Sequence, residues 1–416
     1  MGSLQRCSGA ALGRRLVVLG LLLGLAGVAG CGEKAEPVRA PGLSVGITEF
    51  NPNLFWSAAA RPDLPDGFGP WRDRLAAIRP AHYRLVVNWS AVQPDPQAPP
   101  DWAVPETGCL RTTPPCAPYA GVRDRLRAVR SQQLAGGGWD VLVVLTYAPA
   151  WATQIVPGCR SERTDPRQRP IAPAALPAYR RLIASLAELG RREGVALRWW
   201  SPWNEPNGGP FLAPQRQRCS GDAPSLAAGL YTPQARAMRA ELAAQPGEQR
   251  LVLGELAAVD RPRPNSTEVT TFIDGLPDDV VCAADVWGQH VYVGDPDVVA
   301  AVERALDSRG CDNGPVAVWV TETGAGGEPP GRPRPSGPAA LRAQCRAQQR
   351  LLLRWHADPR VEAAFQYSFR EDSLFPVGLA DAPLTRSYPT DALWRAWGGG
   401  RVAAAAPPPL PRECMG

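Results

Sequence analysis

Residues 177–207 read PAYRRLIASLAELGRREGVALRWWSPWNEPN, and two periodicities meet inside them. Leu182, Leu186 and Leu189 recur every three to four residues, the spacing of one helical face, with Pro177 before them and Gly190 after as start and stop signals. Residues 197–202 then form a short, tryptophan-rich run that reads as a buried strand, ended by Pro202 because proline has no N–H for a ladder. The same alternation recurs along the chain. Candidate strands fall at 44–48, 83–88, 141–146, 197–202, 251–255, 286–290, 316–321 and 363–369, with further helical patterns over 232–242 and 341–355. Eight strands alternating with helices, without a break in composition, predict an α/β chain with one (β/α)₈ (TIM) barrel domain over residues 43–400. An open doubly wound sheet is the rival, but no GxGxxG or GxxxxGK(S/T) loop follows any strand. The long connections 89–120, 147–176 and 204–230 all follow strand C-termini, so they gather on the catalytic face of such a barrel.

Composition excludes several classes. Of 416 residues, 44% are hydrophobic and 20% charged, enough for a large core and too apolar for a disordered chain. Without Arg6, Arg14 and Arg15 of the N-terminal segment, the formal charge of +5 falls to +2, which gives no electrostatic case for nucleic acid. Three histidines (His82, His290, His356) leave little room for a multi-histidine metal centre, and no motif asks for a cofactor. The expectation is an enzyme without metal or cofactor, acting as a monomer.

Residues 1–30 read as a signal segment: Arg14-Arg15 precede an uncharged apolar run over 16–29, too short to span a bilayer comfortably. Val28-Ala29-Gly30-Cys31 resembles a bacterial lipobox, which implies lipidation at Cys31, a tether over 31–42 and an exported protein anchored to the cell membrane. The tail 401–416 is rich in Ala and Pro and is tied down only if Cys414 is bonded. Beyond Cys7 and Cys31, eight cysteines remain, an even number that suits disulfides in an exported chain. Cys282 and Cys311 precede strands 6 and 7 and are neighbours at the barrel's bottom. Cys159 and Cys219 lie in adjacent loops after strands 3 and 4, Cys109 and Cys116 share one loop, and Cys345 with Cys414 would pin the tail.

Two carboxylates arrive on one face of the barrel, Glu205 after strand 4 within Trp203-Asn204-Glu205-Pro206-Asn207 and Glu322 after strand 7 within Thr321-Glu322-Thr323-Gly324. Hydrolysis of a glycosidic bond needs such a pair, one acid to protonate the leaving oxygen and one carboxylate to attack or to direct water. These signatures resemble those of the clan A retaining glycoside hydrolases, nearest to families 39 and 5, and the resemblance extends over roughly residues 45–397. It implies that Glu205 is the acid/base and Glu322 the nucleophile of a retaining β-glycosidase, with carboxyls about 5–5.5 Å apart. It further implies that Asn204 binds a sugar 2-hydroxyl, that Tyr292 of His290-Val291-Tyr292 contacts the nucleophile, and that Arg84 on strand 2 pairs with it. Ser201 stands where relatives often carry an acid, and Gln366-Tyr367-Ser368-Phe369 where they often have a tryptophan; this puts Tyr367 on the site floor.

Trp89, Trp151 and Trp287 follow strands closely and are candidate sugar platforms, equally candidates for core, with Trp151 favoured as platform. Glu49, Glu255 and Glu371 lie near strand ends and read as substrate contacts or as salt-bridge carboxylates. His82 reads as a packing or capping residue and His356 as a surface residue. An inactive carbohydrate-binding lipoprotein and a transglycosidase remain the alternatives, whereas a Ser-His-Asp hydrolase is disfavoured because no GxSxG elbow occurs.

Overall fold

A computed structural model describes residues 42–312, 314–327, 333–399 and 406–416, so the leader, Cys31 and the tether up to residue 41 lie outside the described residues. Eight parallel strands form a closed ring: β1 (Ser44–Thr48), β2 (His82–Asn88), β3 (Asp140–Thr146), β4 (Leu197–Ser201), β5 (Arg250–Leu256), β6 (Val286–His290), β7 (Ala317–Thr323) and β8 (Val361–Tyr367). Each pairs with its neighbours in sequence, and β8 closes on β1. The principal helices after each strand are α1 (Gly69–Ala76), α2 (Gly121–Leu134), α3 (Leu176–Arg192), α4 (Ala227–Leu242), α5 (Val269–Asp274), α6 (Val299–Asp307), α7 (Pro338–Ala357) and α8 (Pro389–Trp397). This is the (β/α)₈ barrel, and no described helix is long and apolar enough to cross a membrane.

The α3–β4 unit shows how the sequence builds it. Leu182, Leu186 and Leu189 are buried against the sheet, each contributing roughly 2 kcal/mol through the apolar area removed from water. Gly190 does not stop this helix, which continues to Arg192. A Cβ there would stand 2.7 Å from Leu197 Cγ, so Gly190 lets α3 close onto β4. The reversal comes at Gly194, whose φ of +71° suits glycine. His356 also departs from its expected place: it is buried on α7 with its ring 5.7 Å from that of Trp397.

The barrel interior has two storeys. The lower one is apolar, with Leu142, Val144, Val252, Val286, Trp319, Ala363 and Phe365 in one cluster. Gly46 makes space for it, since a Cβ there would lie 2.3 Å from the Phe365 ring. The upper storey holds the ionisable side chains described below.

Disulfides join Cys109–Cys116, Cys159–Cys219, Cys282–Cys311 and Cys345–Cys414. The last ties the described end of the tail to α7, where Arg346 Nη1 donates to the Cys414 carbonyl at 2.9 Å.

Candidate active site

Two irregularities in the barrel aim the site. Between β5 and β6 the pairing passes from Gly254↔Gly288 to Leu256↔Gln289, leaving Glu255 as an extra residue at φ +53°. Between β6 and β7 it passes from Gln289↔Val320 to His290↔Glu322, leaving Thr321 extra. An extra residue breaks the two-residue alternation and re-aims the side chains beyond it. Here the side chains of Glu255 and Glu322 converge on the Arg84 guanidinium from β2, and His290 lies against both carboxylates.

Arg84 is fully buried and spends its donors on three partners. Nη1 donates to Glu322 Oε1 at 2.6 Å, Nη2 to Asn204 Oδ1 at 2.6 Å, and Nε and Nη2 to Glu255 Oε2 at 3.0 and 2.6 Å. Tyr292 donates its phenol proton to the other oxygen of Glu322, Oε2. Glu322 is therefore gripped at both oxygens, one by a cation and one by a neutral donor. Burial, then the Glu322 charge, raises the Tyr292 pKa well above the ordinary phenol value, so it remains a donor.

Glu205 sits in the left-handed region (φ +39°), fixed by its N–H donating to the Glu255 carbonyl at 2.9 Å and by its own carbonyl accepting from Gly208 N at 2.9 Å. Its side chain is 21% exposed against 8% for Glu322, so Glu205 is the carboxylate nearer solvent. Its Oε1 lies 2.8 Å from His290 Nδ1, and the other ring nitrogen, Nε2, lies 3.3 Å from Glu255 Oε2.

Burial works against charge on both Glu255 and His290, but their neighbours prevail. Arg84 and His290 hold the Glu255 carboxyl down at about 2, and the Glu322 charge, followed by the hydrogen bonds to Glu205 and Glu255, lifts His290 to about 10. Glu205, His290 and Glu322 each bring one polar side-chain atom within 4.8 Å of the other two.

Of the other expected residues, Tyr367 lies at the end of β8, with rings of Phe50 and Phe375 at 6.1 and 5.4 Å. A small pocket, lined by Phe50, Leu110, Tyr119, Tyr367 and Arg370, opens beside it. Trp151 is partly exposed, its Nε1 donating to the Gln93 carbonyl at 3.3 Å. Trp89 is not a platform: it is wholly buried, edge-on to Trp151, with Nε1 bonded to Gln93 Oε1 at 2.9 Å. The short helix Trp89–Val92 turns it under the rim. Trp287 is likewise buried. Glu49 accepts three backbone N–H groups, from Phe50, Asn51 and Arg370, and Glu371 pairs with Arg334, so both carboxylates are structural. Sequence reading did not single out Tyr147 and Phe211, whose stacked rings (5.5 Å apart) stand near Glu205; Tyr147 directly follows β3, and Phe211 lies in the long loop after β4.

No protein-family model matches this chain, and no curated protein matches its sequence at a significant level. Solved structures do. A family 39 glycoside hydrolase from the gut symbiont Bacteroides cellulosilyticus aligns over 86% of this chain and 63% of its own, at 17% identity and a TM-score of 0.47, so this chain spans somewhat less than two thirds of that protein. A glucosidase from Croceicoccus marinus aligns over 87% of this chain and 68% of its own, at 14% identity and a TM-score of 0.52. SrfJ from Salmonella typhimurium aligns over 86% and 75%, at 9% identity and a TM-score of 0.54. At such identities the last two likenesses establish the architecture: this chain is a (β/α)₈ barrel built on the same plan as those proteins.

Proposed function

We propose that this chain is a retaining β-glycoside hydrolase, with Glu322 as nucleophile and Glu205 as acid/base. The observation that carries the reading is the asymmetry of the pair. Each of the two carboxylates presents an oxygen within 4.8 Å of one on the other, which accords with the short separation of a retaining pair. One of them is gripped by Arg84 and Tyr292 and is buried, as an ionised nucleophile needs to be held. The other is more exposed and touches His290, as a proton donor facing a leaving group should be. That one barrel of the same plan is a glucosidase accords with this reading.

In the first step Glu322 attacks the anomeric carbon while Glu205 protonates the departing oxygen. In the second Glu205 takes a proton from water as the water oxygen displaces Glu322. Asn204 Oδ1 is committed to Arg84, which leaves its amide N–H₂ for the sugar 2-hydroxyl. Trp151 and Tyr367 are the aromatic residues placed to touch substrate. The substrate is a carbohydrate at the cell envelope, where an exported, monomeric protein would be held by lipid on Cys31 ahead of the tether 31–42. The domain limits follow the same reading, a signal over 1–30, the barrel over 43–400 and the tail 401–416.

The test is ¹H NMR of products released from aryl β-glycosides and from a panel of glucans, xylans and mannans. Retention of the anomeric configuration is expected. An inverted product removes the nucleophile assignment, and binding without any turnover would leave a carbohydrate-binding protein instead. Membrane-fraction recovery lost in Cys31→Ala tests the anchor separately.

A further inference from the structure

We infer that Glu255 is a positioning residue which, acting through His290, confines the transferable proton of Glu205 to Oε2, the oxygen His290 does not touch. The inference rests on Glu205 being the acid/base.

Glu255 holds Glu205 twice. Its carbonyl accepts the Glu205 N–H at 2.9 Å, and its carboxylate reaches the Glu205 side chain through the imidazole, with Oε2 to His290 Nε2 at 3.3 Å and His290 Nδ1 to Glu205 Oε1 at 2.8 Å. The space is purpose-made, since a Cβ on Gly288 would lie 2.6 Å from Glu255 Oε1. The groups facing His290 are Glu205 after β4, Glu255 on β5, Glu322 on β7 at 3.5 Å, and Asp295 in the loop after β6, with Arg84 from β2 and Tyr292 beyond them. In the inner cluster the cations Arg84 and His290 balance the anions Glu255 and Glu322, so this nearly dry cluster is neutral when the fifth group, Glu205, keeps its proton.

The direction of that proton follows from the charge of the imidazole. A cationic ring has two N–H donors and no acceptor, so Nδ1–H donates to Glu205 Oε1 and the acid carries its own proton on Oε2. A neutral ring whose single proton faces Glu255 would turn a lone pair towards Glu205 and accept the acid's proton at Oε1, aimed away from the substrate. The Glu255 anion decides between the two by keeping the ring charged. In the reaction the Oε2 proton passes to the leaving oxygen as the C1–O bond breaks and Glu322 bonds to C1. Water then returns one proton to Oε2 as its oxygen takes C1 from Glu322, and His290 ends as it began.

The experiment is ¹⁵N NMR of histidine-labelled protein together with pH profiles of the wild type and Glu255→Gln. Only three histidines need assigning, and His290→Gln identifies the relevant signal. In the wild type both His290 ring nitrogens should stay protonated from pH 6 to pH 8, whereas in Glu255→Gln the ring should titrate within that range. For a sugar leaving group, kcat/KM of the variant at pH 8 should fall about 100-fold, and the alkaline limb should move down by about one pH unit. A dinitrophenyl glycoside, which needs little acid help, should lose no more than about threefold. Equal losses on both substrates at every pH would mean a merely structural role and overturn the inference. So would a neutral His290 in the wild type at pH 7, a result that needs no variant to fold. Wild-type turnover with a neutral His290 defeats this inference alone, whereas no turnover of any glycoside defeats the hydrolase reading beneath it.

Discussion

The two storeys of the barrel interior share eight strands and little else. β2 runs through both, presenting His82 at its lower end and Arg84 two residues later, on the same face. Below, His82 lies among Trp319 and Phe365, with rings at 5.0 and 5.6 Å, and burial depresses its pKa to about 4, only partly offset by Asp140. Above, burial pushes His290 the same way, yet three carboxylates reverse it to about 10. Desolvation is the largest influence on both rings. What separates them is the number of anions within reach. The lower storey is built to exclude charge and the upper to balance it, and substitutions should act on stability in one and on turnover in the other.

The largest effect should come from Glu322→Gln. It keeps the volume and a partner for Arg84 and Tyr292, so the fold should survive. Without the attacking carboxylate, kcat should fall by roughly four orders of magnitude or more, measured as release of aglycone from an aryl glycoside. Residual activity within about tenfold of wild type would move the nucleophile elsewhere.

Glu205→Ala should come next and should depend on the leaving group. On a sugar or alkyl leaving group the loss should be about 10²–10⁴-fold, the usual worth of general acid catalysis. On a dinitrophenyl glycoside the first step should survive while the second slows, and azide should restore turnover by giving a β-glycosyl azide. A variant equally impaired on both substrates, and deaf to azide, would place the acid elsewhere.

The two storeys also differ in how far the sequence reveals them. Strand positions were legible because apolar runs such as 141–146 and 316–320 stand between helical patterns. Glu205 and Glu322 were legible because they end strands 4 and 7 within short, recognisable contexts. Glu255 was legible only as a carboxylate near a strand end. Its partners Arg84 and His290 lie 171 and 35 residues away, and the irregular pairing that re-aims it leaves no mark in a two-residue alternation. Trp89 misled for a related reason: strand-end tryptophans look like platforms, and only the following helical turn shows that this one is roofed over.

In the lower storey Gly46→Ala should cost stability and not chemistry. Its Cβ would arrive 2.3 Å from a ring that is itself packed against Trp319, so Phe365 has to move. Overpacking of this kind costs about 1–3 kcal/mol, read as a lower urea midpoint, while kcat/KM of the folded fraction should change less than about threefold. Unchanged stability would mean that the lower storey is looser than its contacts indicate.

The smallest effect should be the pH dependence contributed by His82, and its sign opposes that of His290. In the unfolded chain a histidine titrates near 6.5, whereas folded His82 does so at about 4. Below pH 6.5 the unfolded state therefore binds the extra proton, so the stability His82 contributes is present at neutral pH and is lost as pH falls towards 4. For His290 the folded pKa lies above the unfolded one, so its contribution is full below about 6.5 and is lost as pH rises through about 10. Carboxylates whose pKa burial raises, such as Glu49 and Asp391, tilt the acid side the other way, so the comparison has to be between variants. His82→Gln, which can still bond to Ser44 Oγ, the 3.1 Å partner of His82 Nε2, should lose about 1 kcal/mol less than wild type between pH 6 and pH 5 in urea titrations. Parallel curves for the two proteins would mean that His82 takes up its proton inside the barrel, and that the lower storey tolerates the charge it is otherwise built to exclude.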